Sequence, residues 1–317
     1  MPLSPEQSKL LNLMRLDNSS AGWPFCATEF WAKETEAFNS AFETTGINNV
    51  EDEFYNTRFS GITRNDTRLY DWFLWTYYQL VRQRDSLGLL DRFEATLSES
   101  PAYRAFVDGK ALPVGIPVII NGRKMSADLI FSVDDFYNLY ELMPEIATRE
   151  GVVVAELGAG WGRLGHVLLQ VNPGIRYAIF DIPESLLVAS SHLPGVLPDF
   201  SICSYGESRA LAKIDREMLQ SRSIWFFGAQ QIEELAPGSV DVIANIASFQ
   251  EMTIDQVNCY LDIFGKVARG GYIYLRNDIT GACSNFNDYQ YARGCEQIFR
   301  RLSRYSQFVM EAGYRVR

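Results

Sequence analysis

Histidine is the scarcest catalytic side chain here: 317 residues contain two, His166 and His192. That is too few for a histidine-rich metal centre and poor material for a Ser-His-Asp triad. Cysteine is nearly as sparse. Cys26, Cys203, Cys259, Cys283 and Cys295 are odd in number, widely spaced and never form a C-x-x-C pair. Neither a disulfide framework nor a zinc site is expected, and the cysteines read as reduced, mostly core residues. No stretch gathers Lys and Arg into a stripe, and 39 acidic against 29 basic residues give a net charge of -10. Nucleic acid is therefore a poor partner, and an anionic membrane surface is disfavoured. Long apolar runs are missing too; none approaches the roughly 20 residues that cross a bilayer. The opening Met-Pro-Leu-Ser-Pro-Glu-Gln lacks the regions of a signal peptide, so a cytoplasmic location is expected.

What is present suits a protein with a sizeable core: 47% hydrophobic and 21% charged residues. The length favours two domains. Residues 1–148 read as a mainly helical domain. Ser4, Pro5 and Gln7 make a capping box ahead of Leu10, Leu11 and Met14. A second helix is expected after Thr28. A third, between Asp66 and Arg84, carries apolar residues around almost its full circumference and should be buried on all sides, under other helices or across a homodimer interface. Ile116-Pro-Val-Ile-Ile120, Asn121-Gly122 and Arg123 to Asp128 predict a β-hairpin on a type I′ turn. A short helix with Phe136 and Tyr137 follows.

Residues 149–317 alternate short apolar runs with helix-length segments: 152–155, 177–180, 223–227, 240–244 and 271–275. Such runs predict an α/β fold, a doubly wound, mostly parallel Rossmann-like sheet with ligands at the carboxyl ends of its strands. The first strand enters Glu156-Leu-Gly158-Ala159-Gly160-Trp-Gly162, a turn whose glycines permit tight backbone and close ligand approach. The dinucleotide fingerprint needs glycine where this chain has Arg163, and it calls for no acid at Glu156. An acid there would repel a pyrophosphate but suit the ammonium and sulfonium of S-adenosylmethionine. Asp181, with Ile182, ends the second strand where a carboxylate accepts ribose hydroxyls. Gly228, Ala229 and Gln230 end the third, where an adenine ring would sit.

The Glu-x-Gly-x-Gly-x-Gly pattern resembles the first motif of class I methyltransferases. Over most of its length the chain resembles the sugar O-methyltransferase family, on Phe54-Tyr-Asn-Thr-Arg-Phe-Ser-Gly61, the helix near Trp72, Asp128-Leu129, Phe136-Tyr137, Phe180-Asp-Ile-Pro-Glu-Ser-Leu-Leu187 and Ala247-Ser-Phe-Gln-Glu-Met252. The resemblance implies a Rossmann-like fold and S-adenosylmethionine as cofactor. The family's last strands are hard to find beyond Asn277, where the tail looks largely helical, with Tyr314-Arg-Val-Arg317 as the alternative edge.

Methyl transfer is an in-line displacement, and a hydroxyl acceptor gains roughly 10² to 10⁴ from a positioned base. Glu251, past the fourth strand, is the first candidate, although it also reads as an acid flanking the next helix. Asp278, at the end of the fifth strand, and His192 are the others. Asn245 and Ala247 join the cofactor residues. Phe249, Gln250, Arg276 and Asn277 are candidates for the acceptor, with Tyr55, Arg58 and Tyr137 expected from the N-terminal half, which would cover the pocket. The expected reaction is O-methylation of a sugar or glycosylated natural product. The rivals are C- or N-methylation of an aromatic metabolite, a nicotinamide-dependent oxidoreductase, and a degenerate binding module.

Overall fold

The computed structural model describes residues 3–26, 28–44, 67–93, 117–120, 123–291, 294–304 and 306–317. The chain packs as two units, one of residues 1–4 and 36–137 and the other of residues 5–35 and 138–317. The division falls earlier than residue 148, and the first helical segment packs with the sheet-bearing unit.

In the first unit, the helix Thr67–Arg84 buries Tyr77, Tyr78 and Val81. Trp75 and Leu80 are 37% and 36% exposed, so this helix is not buried on all sides within the chain. Strands β1 (Pro117–Ile120) and β2 (Arg123–Ser126) pair antiparallel with Ile120 opposite Arg123. The turn between them lies outside the described residues. Asp134 accepts from Tyr77 Oη at 2.9 Å and pairs with Arg84 at 2.6 Å, so a buried carboxylate ties two helices together.

The second unit holds a sheet of order β5-β6-β4-β3-β7-β8-β10-β9. Its strands are β3 (Val153–Leu157), β4 (Arg176–Asp181), β5 (Ile202–Cys203), β6 (Ile224–Gly228), β7 (Val242–Ile246), β8 (Tyr272–Asp278), β9 (Cys295–Leu302) and β10 (Val309–Val316). β3 to β8 run parallel. Every residue of β3, β6 and β7 is buried, which is why these segments are mostly apolar and do not alternate, Glu156 and Asn245 being the polar residues within them. The fold is Rossmann-like. The chain winds outward from β3 through β4 and β6, then returns to β7 on β3's other side, leaving a switch-point crevice at their carboxyl ends. Helix Arg163–Val171 reaches close to the sheet because Gly165 leaves room for Tyr177; a Cβ there would lie 2.2 Å from the ring.

The tail departs from the expected helix. β10 lies antiparallel between β8 and β9, so the sheet is completed from Val309 onward, not only from Tyr314. Charged pairs such as Arg300-Arg301 mimic a helical surface, but on β9 they line a sheet edge, where charge discourages further pairing. The cysteines are unbridged, yet only Cys203 is buried; Cys26 and Cys283 are exposed.

Candidate functional site

Gly158, Gly160 and Gly162 adopt φ of 75°, 59° and 84°, a left-handed run that side chains resist. At two of them the atoms that exclude a Cβ are the protein's own. A Cβ on Gly158 would meet Ser248 Oγ at 2.1 Å, and one on Gly162 would meet Leu193 at 2.6 Å. The middle glycine is tied differently: its N–H donates to Asp181 Oδ2 at 2.7 Å. Ala159 is buried beside it.

Glu156 is 2% exposed and accepts a hydrogen bond from Tyr177 Oη. Burial, together with this carboxylate, pushes the Tyr177 phenol well above its ordinary range. The acid is thus buried and engaged by a tyrosine. Asp181 ends the neighbouring strand β4. Its Oδ1 accepts from Ile182 N at 2.7 Å while Oδ2 holds Gly160, and burial lifts its pKa to about 7 despite those bonds. Each oxygen keeps a further acceptor site.

Gly228 pairs with Asp181 across the sheet. Gln231 accepts from Gly228 N at 3.1 Å and donates to Ser208 O at 2.9 Å, pinning the turn after β6. Ala229 is buried, and Gln230 Oε1 is buried without a hydrogen-bond partner among the described residues.

The turn after β7 is built by two buried amides. Asn245 Nδ2 donates to Leu157 O at 2.9 Å and Ser248 Oγ at 2.7 Å. Asn277 Oδ1 accepts from Ser248 N and Phe249 N at 3.0 and 3.1 Å, and Asn277 Nδ2 donates to Asn245 Oδ1 at 3.0 Å. This network holds Ala247 at φ 55°, with its N–H on Arg276 O at 2.7 Å. Ser248, which presses on Gly158, escaped the sequence reading although it lies within the Ala247–Met252 segment.

Two expected acceptor contacts, Asn277 and Phe249, are corrected by these placements. Asn277 spends its amide inside the network. Phe249 is fully buried, its ring packed on Tyr260, Phe264 and Tyr289. Gln250 Oε1 accepts from Asp278 N at 2.8 Å and so fixes the chain there. Arg276 is buried, and its charge holds down the pKa of Asp278, which desolvation nonetheless raises. Glu251 is buried on a short 3-10 turn, where its backbone oxygen accepts from Thr28 Oγ1 at 3.0 Å.

His192 is also corrected. It packs edge-on against Trp161, ring centroids 4.9 Å apart, and burial drops its pKa to about 3. An imidazole kept neutral this firmly is mismatched to proton transfer near pH 7. His166 is held near 4 for the same reason. Tyr137 belongs to the first unit, where its hydroxyl donates to Asp85 at 2.6 Å and accepts from Leu87 N at 3.0 Å. Tyr55 and Arg58 lie outside the described residues. Among the described residues, no group of three or more His, Cys, Asp or Glu side chains is placed to hold a metal, and no helix is long and apolar enough to cross a membrane.

No family model and no curated protein matches the chain. Among solved structures, it is similar to a SAM-dependent methyltransferase from Aquifex aeolicus, at 12% identity over 56% of this chain and 88% of that one, with a TM-score of 0.38. Magnesium protoporphyrin IX methyltransferase from Synechocystis, with bound SAM, is 13% identical over 60% of this chain and 82% of its own, TM-score 0.41. An O-methyltransferase family 2 protein from Planctomyces limnophilus, in complex with apigenin, is 12% identical over 60% of this chain and 61% of its own, TM-score 0.38. Likenesses this distant leave the chemistry to be argued from the residues.

Proposed function

We propose that the chain is a class I S-adenosylmethionine-dependent methyltransferase acting on a small molecule. The observation that carries this reading is the alignment of two acceptors on adjacent strand ends: the Asp181 carboxylate, fastened by Gly160 and Ile182, and the orphaned Gln230 Oε1. A ribose diol and a purine amine are donors that fit this pair. Gly158 to Gly162, Ala159, Ile182, Gly228, Ala229 and Ala247 would line the remainder of the cofactor site. A bound sulfonium supplies an electrophilic methyl group; the protein's part is to orient the acceptor, exclude water and take its proton.

For that proton, Asp278 has the fitting environment: a half-buried carboxyl with a raised pKa is a better base near neutrality than a solvated one. Glu251 remains the second candidate. The resemblance to sugar O-methyltransferases makes a sugar or glycosylated natural product the acceptor of choice, in the cytoplasm, with homodimerisation through the N-terminal helices. The expected test is calorimetric titration of the full chain: S-adenosylhomocysteine binds and NADH does not. The opposite result sinks the proposal.

A further inference from the structure

Residues 5–35 belong to the sheet-bearing unit, and two helices tell the faces of its sheet apart. Helix Pro183–Val196 leads out of β4 toward the β5 edge, whereas helix Ile254–Val267 leads from β7 to β8, in the opposite direction. Right-handed crossovers running in opposite directions put these helices on opposite faces. Strand alternation agrees. Tyr177 meets Gly165 of helix Arg163–Val171, which winds the same way as the first, while Ala178 and Phe180 join Tyr260 and Phe264 in the core of the second face.

Helix Pro5–Ala21 lies on the first face. Arg15 Nε donates to Oε1 of the buried Glu184 at 2.8 Å. Asp17 accepts from Tyr205 Oη at 2.8 Å and from Arg209 Nε and Nη2 at 2.8 and 2.7 Å. A few residues on, Phe25 is buried in the core of the second face, edge-on to Tyr260 with ring centroids 5.7 Å apart. Gln256 Nε2 donates to Pro24 O and Cys26 O at 2.9 and 3.0 Å. The chain changes faces at the carboxyl end of the sheet, because every group it meets there follows a strand end. Glu184 comes just past β4, Tyr205 just past β5, the turn Ala229–Glu234 directly after β6, and Gln256 in the first turn of the helix after β7.

The attachment is lopsided. Of the helix only Leu11 and Met14 are buried, so polar ties hold it, while Phe25 is set in the core. A helix with so little apolar burial opens at a small fraction of the global unfolding free energy. We propose that residues 5–26 form a strap across the outer side of the adenosyl site, anchored by Phe25 and Gln256 and latched by Arg15 and Asp17, and that ligand passes in and out only while the latch is open. This rests on the cofactor reading above, which puts a ligand against Asp181 and Gly228, beneath the crossing.

The test is stopped-flow kinetics of S-adenosylhomocysteine on the full chain, wild type against Arg15→Ala and Asp17→Ala. Each substitution removes a charge-assisted bond from the closed strap and should raise its open fraction about tenfold. A gate makes association and dissociation both quicken, each by about that factor, with Kd little changed. A fixed wall would quicken dissociation alone, and residues serving only the fold would lower the melting temperature and leave both rates. Hydrogen exchange of the wild type serves where a variant fails to fold: amides of residues 5–21 should exchange faster than those of Ile254–Val267, and saturating ligand should slow them about tenfold. Dissociation alone quickening, neither rate moving, or helix exchange untouched by bound ligand overturns this inference alone; a chain that binds no S-adenosylhomocysteine overturns the methyltransferase reading with it.

Discussion

Asp181 makes ligand affinity a function of pH, and the size of the effect follows from its surroundings. In the free protein, burial raises this carboxyl to about 7, so at neutrality it is half protonated. A ribose diol donating two O–H bonds favours the ionised form and draws the pKa back toward the ordinary value of 3.8. If the ligand binds only the carboxylate, affinity follows the ionised fraction, which rises from about one-eleventh at pH 6 to about ten-elevenths at pH 8. Association of S-adenosylhomocysteine should tighten about tenfold across that window. Titrations at pH 7 in buffers of different ionisation heat should register about half a proton released per ligand bound.

The neighbouring imidazoles do not confuse this result, because His166 and His192 titrate near 4 and 3. Asp181→Asn separates the effect from Asp278: it should weaken binding and flatten the pH dependence. Stability moves in the opposite sense to affinity. The folded state holds the Asp181 proton more tightly than the unfolded chain, so this group's contribution declines as pH rises from about 4 through 7. Affinity constant within about twofold from pH 6 to 8, with no buffer dependence, would refute the assignment of Asp181 to the ligand.

Gly158→Ala forces a Cβ onto Ser248 at a φ of 75°, and should cost about 2 to 5 kcal/mol, read as a melting temperature lower by roughly 5 to 15 °C. Tyr177→Phe takes a donor from the buried Glu156 and should destabilise by about 1 to 3 kcal/mol in denaturant melts. Once an acceptor is found by labelled-methyl screening, Asp278→Asn should lower kcat by about 10² to 10⁴ if oxygen is methylated, with Glu251→Gln the smaller loss. An acceptor methylated on carbon or a basic nitrogen should feel both changes far less.

The sheet-bearing half was legible because its signals are local. The strands at 153–157, 176–181, 224–228, 242–246 and 272–278 each carry a continuous apolar stretch since both faces of the sheet are covered, and the glycine turn follows its strand directly. β9 and β10 were not, since their pairing depends on β8, and their charged residues carry no alternation strong enough to announce a strand. Sequence order put Asp181 and Gln230 at the ends of their strands, where the structure has them, but did not show the structural work of the residues past β7 and at the end of β8. Polar Asn277 and Gln250 and aromatic Phe249 sit where ligand contacts are expected, yet a strand end that must turn sharply has its own orphaned N–H groups to satisfy. Asn277 and Gln250 answer those groups first, while Phe249 fills the core beneath them.

The same logic explains why two of the motif glycines face protein atoms. A turn that offers N–H groups to a ligand must itself be held rigid, and the atoms holding it arrive from distant segments: Ser248 against Gly158, Leu193 against Gly162, Asp181 on Gly160. Each neighbour then fixes a further group, Ser248 through Asn245 and Asn277, and Asp181 through Ile182. The rigidity of the turn is consequently spread over residues that lie outside it. A glycine motif read alone reports where the backbone turns, while the bonds and side chains around it decide how firmly that turn is held.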